Sequence, residues 1–151
     1  DMHVHMMRAD IEAYLGAGVT TVRNLWGFPD LLAMKAEVEA GTLIGPNIYA
    51  ISSGLDGTPA KWPFTQFVTD PADAEQVVAE QVALGYSTLK LYQDLTVPAF
   101  DAIVQSASNR GLEYGGHVPH RVGLLHALDS GYRFVEHLSG YETILNGTGQ
   151  R

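Results

Sequence analysis

The sequence predicts an α/β fold built on a parallel sheet. Short runs of β-branched and apolar residues alternate with longer stretches of helical period along the 151 residues. Several of the helical stretches end at a glycine, which is a common helix stop. The composition, 46% apolar and 17% charged, is typical of one globular domain with a real core. We therefore expect a single domain over residues 1–151.

Six strands and five helices are predicted. The strands are Asp1–His5, Val19–Leu25, Asn47–Ser52, Ser87–Tyr92, Glu113–Val118 and Arg133–His137. The helices are Arg8–Leu15, Pro29–Ala40, Pro71–Leu84, Val97–Asn109 and Val122–Asp129. Right-handed crossovers bring the carboxyl ends of parallel strands to one rim, where α/β sheets bind their ligands. Chemistry is therefore expected at the strand ends.

One long segment, Ser53–Thr69, interrupts this alternation. It contains two glycines, two prolines and the aromatic residues Trp62, Phe64 and Phe67. A loop of this length with three aromatics favours a lid or a binding loop, and a plain spacer is the alternative.

The length sets a limit on the architecture. A closed (β/α)₈ barrel needs about 250 residues. We expect a TIM-type (β/α)₈ barrel of which this chain supplies about the first six βα units. An open sheet of six strands exposes two edges, so we also expect an oligomer or a complementing chain that completes the barrel.

Charge and cysteine content exclude several classes of protein. The net charge of −8 argues against nucleic acid and against anionic membranes as partners. No apolar run is long enough for a membrane span. The sequence contains no cysteine, which excludes a disulfide scaffold and a thiolate metal site but leaves the localisation open.

Four histidines occupy predicted strand ends. His3 and His5 are two positions apart on one strand, so their side chains point to the same face. His117 and His137 lie at the ends of the fifth and sixth strands. Four imidazoles on one rim predict a metal site, whereas a lone His-x-His would be weak evidence.

Lys90 ends the fourth predicted strand among apolar residues. It can be an ordinary lysine that reaches solvent. In a buried cation site, however, the neutral amine is favoured, and a neutral amine reacts with carbon dioxide to give a carbamate that can bridge two metals. Histidine with carboxylate-type oxygen fits two zinc ions best, with manganese, cobalt or iron as alternatives.

Six strings, taken in order, resemble the amidohydrolase superfamily, and within it the imidazolonepropionase-like and prolidase-like branch. They are Asp1-Met2-His3-Val4-His5, Gly18-Val19-Thr20-Thr21-Val22-Arg23-Asn24, Gly45-Pro46-Asn47-Ile48-Tyr49, Leu89-Lys90-Leu91-Tyr92, Gly116-His117-Val118-Pro119 and Val135-Glu136-His137-Leu138. The resemblance implies metal-dependent hydrolysis of an amide or ester bond in a small molecule such as a dipeptide or a cyclic amide. A bridging hydroxide on a binuclear centre would attack that bond.

The resemblance also implies roles for single residues. The implied metal ligands are His3, His5, Lys90 as the carboxylated bridge, His117 and His137. Tyr92 is implied as a contact to the substrate. His120 is a second candidate for orienting the substrate, and a surface residue at a helix start is its alternative. Asn24 and Trp26 follow the second strand and either line the pocket or serve packing.

Two features of the family have no counterpart in the sequence. These are the proton-accepting aspartate at the end of the eighth strand and the small β-sandwich that flanks the barrel. We therefore expect an incomplete barrel that lacks strands 7–8. Two alternatives to an active enzyme are a metal-holding but inactive half-barrel, and an α/β domain whose histidines never meet.

Overall fold

The computed structural model describes residues 1–59 and 62–147. Its strands are β1 (Thr21–Asn24), β2 (Asn47–Ala50), β3 (Gly54–Asp56), β4 (Gln66–Phe67), β5 (Thr88–Leu91) and β6 (Glu113–Gly116). Its helices are α1 (Ile11–Gly16), α2 (Leu31–Glu39), α3 (Ala74–Leu84), α4 (Val97–Asn109), α5 (Leu124–Asp129) and α6 (Tyr141–Leu145). Residues 60–61 of the predicted binding loop and residues 148–151 of the predicted domain lie outside the described residues.

All strand pairings in the described chain are parallel, as predicted. β1 pairs with β2, while β5 pairs with β3 on one side and with β6 on the other. The backbone N–H of Ser52 donates to the carbonyl of Thr88 at 3.0 Å and so connects the end of β2 to β5. The strands form a two-stranded sheet, β1-β2, and a four-stranded sheet in the order β4-β3-β5-β6. Apart from β4, which lies outside β3, the pairing follows the chain order that successive βα units produce.

Two predicted strands are wrong in extent. Asp1–His5 and Arg133–His137 form only single parallel bridges, Val4 to Asn24 and Gly116 to Val135. At the second of these segments the backbone leaves the extended conformation, because His137 has φ 56° and Leu138 has φ 54°. A short 3₁₀ turn over Glu136–Leu138 takes the place of the strand end.

The predicted loop contains two short strands, whereas one predicted helix has its exact bounds. Ser53–Thr69 contains β3 and β4, which pair with each other in parallel. α4 has the predicted bounds, and the Thr96 hydroxyl caps it by accepting from the backbone N–H of Ala99 at 3.3 Å. The prediction did not include α6.

Two apolar clusters form the core. The first packs α1 and α2 against β1 and β2, around Val22, Leu31 and Met34. The second packs α3 and α4 against β5 and β6, around Leu89 and Phe100. In both clusters the helices pack against one face of the strands. Among the helices described, none is long and apolar enough to cross a membrane.

Candidate metal and substrate site

A cavity of about 320 Å³ lies at the carboxyl ends of the strands. Its polar floor consists of His3, His5, Lys90, Tyr92, His117 and His137. The five predicted metal ligands and the predicted substrate contact therefore face one space, although they are separated by up to 134 positions in sequence. His120 lies outside this cavity and lines a smaller neighbouring one of about 120 Å³.

The four imidazoles form a continuous group. Nε2 of His3 lies 3.3 Å from Nε2 of His5. The ring centroid of His137 lies 4.5 Å from that of His3 and 5.0 Å from that of His117. Two nitrogens bound to one tetrahedral zinc ion at about 2.0–2.1 Å lie roughly 3.3 Å apart. The separation of the His3 and His5 nitrogens therefore matches a pair of ligands on one ion.

His3 is oriented from behind by a buried carboxylate. Its Nδ1 hydrogen-bonds Oε2 of Glu136 at 2.6 Å, and the other carboxylate oxygen accepts from the guanidinium of Arg23. Nε of Arg23 also donates to the carbonyl of Met2 at 2.9 Å. Burial lowers the pKa of His3 more than the bond to Glu136 raises it. A neutral His3 that donates from Nδ1 has the lone pair of Nε2 directed at the cavity.

Lys90 is fully buried, and its amine has no hydrogen-bond partner among the described residues. Burial lowers the pKa of Lys90 to about 8, although the nearby Glu136 carboxylate opposes this effect. The backbone N–H of Lys90 donates to the Ser52 hydroxyl at 2.9 Å, which fixes the strand beneath the side chain. The ordinary alternative, a lysine that reaches solvent, is therefore wrong.

Gly116 provides the space for the Lys90 side chain. Its φ is +134°, and a Cβ at this position would lie 2.4 Å from the carbonyl oxygen of Leu91 and 2.8 Å from Cδ of Lys90. Only glycine satisfies both the conformation and the close approach. Gly116 is thus part of the packing around the site.

His117 and His137 carry the other two imidazoles. Nδ1 of His117 is buried without a hydrogen-bond partner among the described residues. Burial, together with the charges of Lys90 and the neighbouring histidines, lowers the pKa of His117 to about 3. His137 reaches the cavity through a left-handed backbone, a conformation that costs a non-glycine residue about 1 kcal/mol or more.

Tyr92 connects the floor to the segment that follows β3. Its hydroxyl accepts a hydrogen bond from Nε1 of Trp62 at 2.7 Å. An indole N–H only donates, so the phenol proton of Tyr92 is free to point elsewhere. The Tyr92 ring also lies 4.4 Å from the ring of His117. Tyr92 is therefore placed to donate to a group bound over the floor.

The fold of this chain is similar to that of several solved structures. A bottromycin amidohydrolase is 32% identical, with a TM-score of 0.84 over 93% of this chain and 32% of that chain. The chain belongs to the amidohydrolase superfamily. A putative prolidase from Bifidobacterium longum shares the fold at 20% identity, with a TM-score of 0.72 over 90% of this chain and 38% of that one. A Xaa-Pro dipeptidase with bound methionine shares it at 19% identity, with a TM-score of 0.72 over 98% of this chain and 51% of that one.

This amidohydrolase-superfamily chain spans between 32% and 51% of the length of these three relatives. No protein-family model matches it. No curated protein matches it significantly. Membership therefore rests on the likeness to solved structures and on the order of the sequence strings that carry the resemblance.

The side chains of the cavity floor have some, but not all, of the arrangement that a metal centre needs. Within residues 1–59 and 62–147, no group of three or more His, Cys, Asp or Glu is already arranged to hold an ion. The His3 and His5 nitrogens have the required separation, and two buried donor atoms at the same floor, Nζ of Lys90 and Nδ1 of His117, lack partners. Unpartnered buried polar atoms are rare and call for a ligand. The residues of this floor therefore match a metal site in two respects, the spacing of His3 and His5 and the unpartnered donor atoms of Lys90 and His117.

Sequence reasoning missed Glu136 and the full contribution of the aromatic residues. Glu136 stands beside His137 in sequence, but its bond to His3 joins residues 133 positions apart and has no local signal. Trp26 lines the cavity, which is one of the two roles predicted for it, the other being packing. Asn24 does not line the cavity. Its side chain accepts from the backbone N–H of Met6 at 2.9 Å and has a packing role.

Proposed function

We propose that this chain forms the metal-binding part of a hydrolase that cleaves an amide or ester bond in a small molecule. The observation that carries the proposal is the convergence of four imidazoles and a buried lysine at one cavity floor. Superfamily membership supports amide hydrolysis in general.

His3 and His5 would hold one divalent ion, and His117 and His137 the second. Imidazole ligands with oxygen from the bridge favour zinc. Bound ions of this kind lower the pKa of water and polarise a carbonyl.

Lys90 would supply the bridge in carboxylated form. The neutral amine attacks the carbon of carbon dioxide, a C–N bond forms, the electrons of one C=O bond move to oxygen, and the nitrogen releases a proton. The product carries one negative charge and two oxygens. The full burial of Lys90 and its unpartnered Nζ support this proposal, because burial lowers the pKa of the amine and so favours the neutral form that reacts with carbon dioxide.

Tyr92 would orient the substrate. Because its hydroxyl accepts from Trp62, its own proton is available to donate to the carbonyl oxygen as negative charge develops there. We assign no step to His120, since it lies outside the cavity. The relatives include a prolidase and a Xaa-Pro dipeptidase, so we include dipeptides among the proposed substrates.

Turnover by the zinc-loaded protein tests the proposal. We expect hydrolysis of members of a panel of dipeptides, N-acyl amino acid amides and aryl esters, loss of that hydrolysis with chelator, and its return with zinc. His5→Asn should abolish it, whereas His126→Asn, which changes a histidine outside the cavity, should not. Hydrolysis that persists in chelator would overturn the proposal. Zinc binding without turnover would favour the alternative, a metal-holding half-barrel that needs a second chain.

A further inference from the structure

The wall of the cavity is aromatic, whereas its floor is polar. We propose that this wall binds an uncharged apolar substituent of the substrate, preferentially an aromatic ring, while the floor acts on the bond beside it. The assignment of the floor rests on the proposed function. The wall itself is a separate observation.

Four aromatic side chains make up most of this wall, namely Trp26, Phe28, Trp62 and Phe64. Trp26 and Phe28 are 9% and 8% exposed and line the inner part. Trp62 and Phe64 are 55% and 49% exposed and stand at the mouth. Large aromatics exposed around a cavity mark a binding site more often than a random surface does.

The indoles are held in fixed orientations. Nε1 of Trp26 donates to the carbonyl of Pro63 at 2.8 Å, and Nε1 of Trp62 donates to the Tyr92 hydroxyl at 2.7 Å. The Trp26 ring meets the Tyr92 ring edge to face at 5.4 Å. Both indole donors are therefore used within the protein, and the wall presents ring surfaces to a ligand. Such surfaces favour apolar and aromatic groups.

The backbone near the mouth is strained in a way that serves this wall. Phe64 has φ 63°, a left-handed conformation that a non-glycine residue rarely adopts. The turn around it is secured by the Thr65 hydroxyl, which donates to the carbonyl of Trp62 at 2.7 Å. Strain of this kind persists where the surroundings impose it, and it concentrates at ligand sites. Phe64 itself lines the cavity.

The size of the cavity is that of a small-molecule site. A volume of about 320 Å³ is at the lower end of the roughly 300–1,000 Å³ of small-molecule sites. The part of the site that this chain forms therefore has room for an apolar side chain and the bond beside it. The reacting carbonyl of the ligand would lie over the floor and its apolar side chain against the rings.

The test is equilibrium binding of two probes to the protein in chelator, where no metal contributes. The probes are N-acetyl-L-phenylalanine amide and N-acetyl-L-aspartic acid amide, which share a backbone, and their binding is followed by ligand-observed NMR. We expect the phenylalanine probe to bind at least about tenfold more tightly. Trp62→Ala should weaken it by about five- to tenfold, whereas Trp62→Phe should retain most of the affinity.

Tyr49→Ala is the matched control, because Tyr49 is an exposed aromatic residue that does not line this cavity. It should leave the affinity unchanged. Equal binding of the two probes, or a Trp62→Ala variant that binds like wild type, would overturn the inference. Zinc binding and turnover are measured separately. The inference about the aromatic wall can therefore fail while the proposed function stands, and the proposed function can fail while the inference stands.

Discussion

Nδ1 of His3 lies 2.6 Å from Oε2 of Glu136, a carboxylate that is itself paired with Arg23. The pair joins the first residues of the chain to the segment after β6. It fixes which nitrogen of His3 carries the proton, and so leaves Nε2 directed toward His5. Carboxylates that hydrogen-bond a ligating histidine commonly set its orientation and its basicity in metal sites.

Glu136→Gln should weaken zinc binding about 10- to 100-fold. A glutamine has one carbonyl oxygen in place of two carboxylate oxygens, so it cannot accept from both His3 and Arg23 as the glutamate does. Competition of the purified variant with a zinc chelator of known affinity measures the change.

Asp101→Asn is the matched control for this change. Asp101 hydrogen-bonds His126 at 2.7 Å, which makes a carboxylate–histidine pair outside the cavity. We expect its zinc affinity to equal that of wild type. Equal affinities for Glu136→Gln and wild type would show that Glu136 serves structure alone.

Lys90→Met should lower the number of bound metal ions by at least one. The variant removes the proposed bridge but keeps an apolar chain of similar length. It should not destabilise the metal-free protein, because it also removes a buried amine without a partner. Elemental analysis and urea unfolding measure the two effects.

Lys35→Met serves as the control, since Lys35 forms an ion pair with Glu39 on α2 away from the cavity. Growth in ¹³C-bicarbonate should give a carbamate ¹³C NMR signal that is present in Lys35→Met and missing from Lys90→Met. Unchanged metal content in Lys90→Met would reject the bridge.

Gly116→Ala should destabilise the protein by about 1–3 kcal/mol. Its Cβ would lie 2.4 Å from the backbone carbonyl oxygen of Leu91 and 2.8 Å from Cδ of Lys90, and its φ of +134° is unfavourable for any side chain. Gly16→Ala is the matched control, because nothing lies within 4 Å of a Cβ at the end of α1. Urea unfolding compares the two, and equal stability would contradict the role given to Gly116.

The ion pair between Glu75 and Arg110 should make stability fall in acid. The hydrogen bond from Arg110 holds the pKa of Glu75 below its usual value. Since the folded state lowers this pKa, the stabilisation is present above the unfolded pKa and is lost as the pH falls through the folded one. Glu75→Gln should flatten the decrease in urea midpoint below about pH 4.5.

Because solvent screens an exposed pair, the change should be small. Arg110→Gln should flatten the decrease less than Glu75→Gln does, because the Ser106 hydroxyl still donates to Glu75 at 2.8 Å. The effects of the two variants should not be additive. Additive effects of the two single variants would contradict a direct pair.

Residues of the site could be predicted from sequence where their spacing or their position at a strand end indicates which way they face. The two-residue spacing of His3 and His5 places them on one face, and their nitrogens do meet. Lys90 was expected at a strand end, and it lies at the cavity floor. The predicted bounds of α4 are confirmed, and the Thr96 cap and the proline in its first turn account for its start.

What could not be predicted depends on tertiary contacts. Nothing near His137 in sequence indicates that its backbone turns left-handed and ends the strand early. The bond between His3 and Glu136 and the bond between Trp62 and Tyr92 join distant segments. β3 and β4 are three and two residues long, and their pairing depends on neighbours that composition does not reveal.

Native mass spectrometry of the protein with zinc and bicarbonate tests the central claim most directly, because it counts bound ions and added carbon dioxide together. The account predicts two zinc ions and one carbon dioxide per site in wild type. It predicts loss of zinc when both His3 and His5 are replaced by asparagine. A protein that stays metal-free at a zinc excess, or binds zinc equally well without those two histidines, would contradict it.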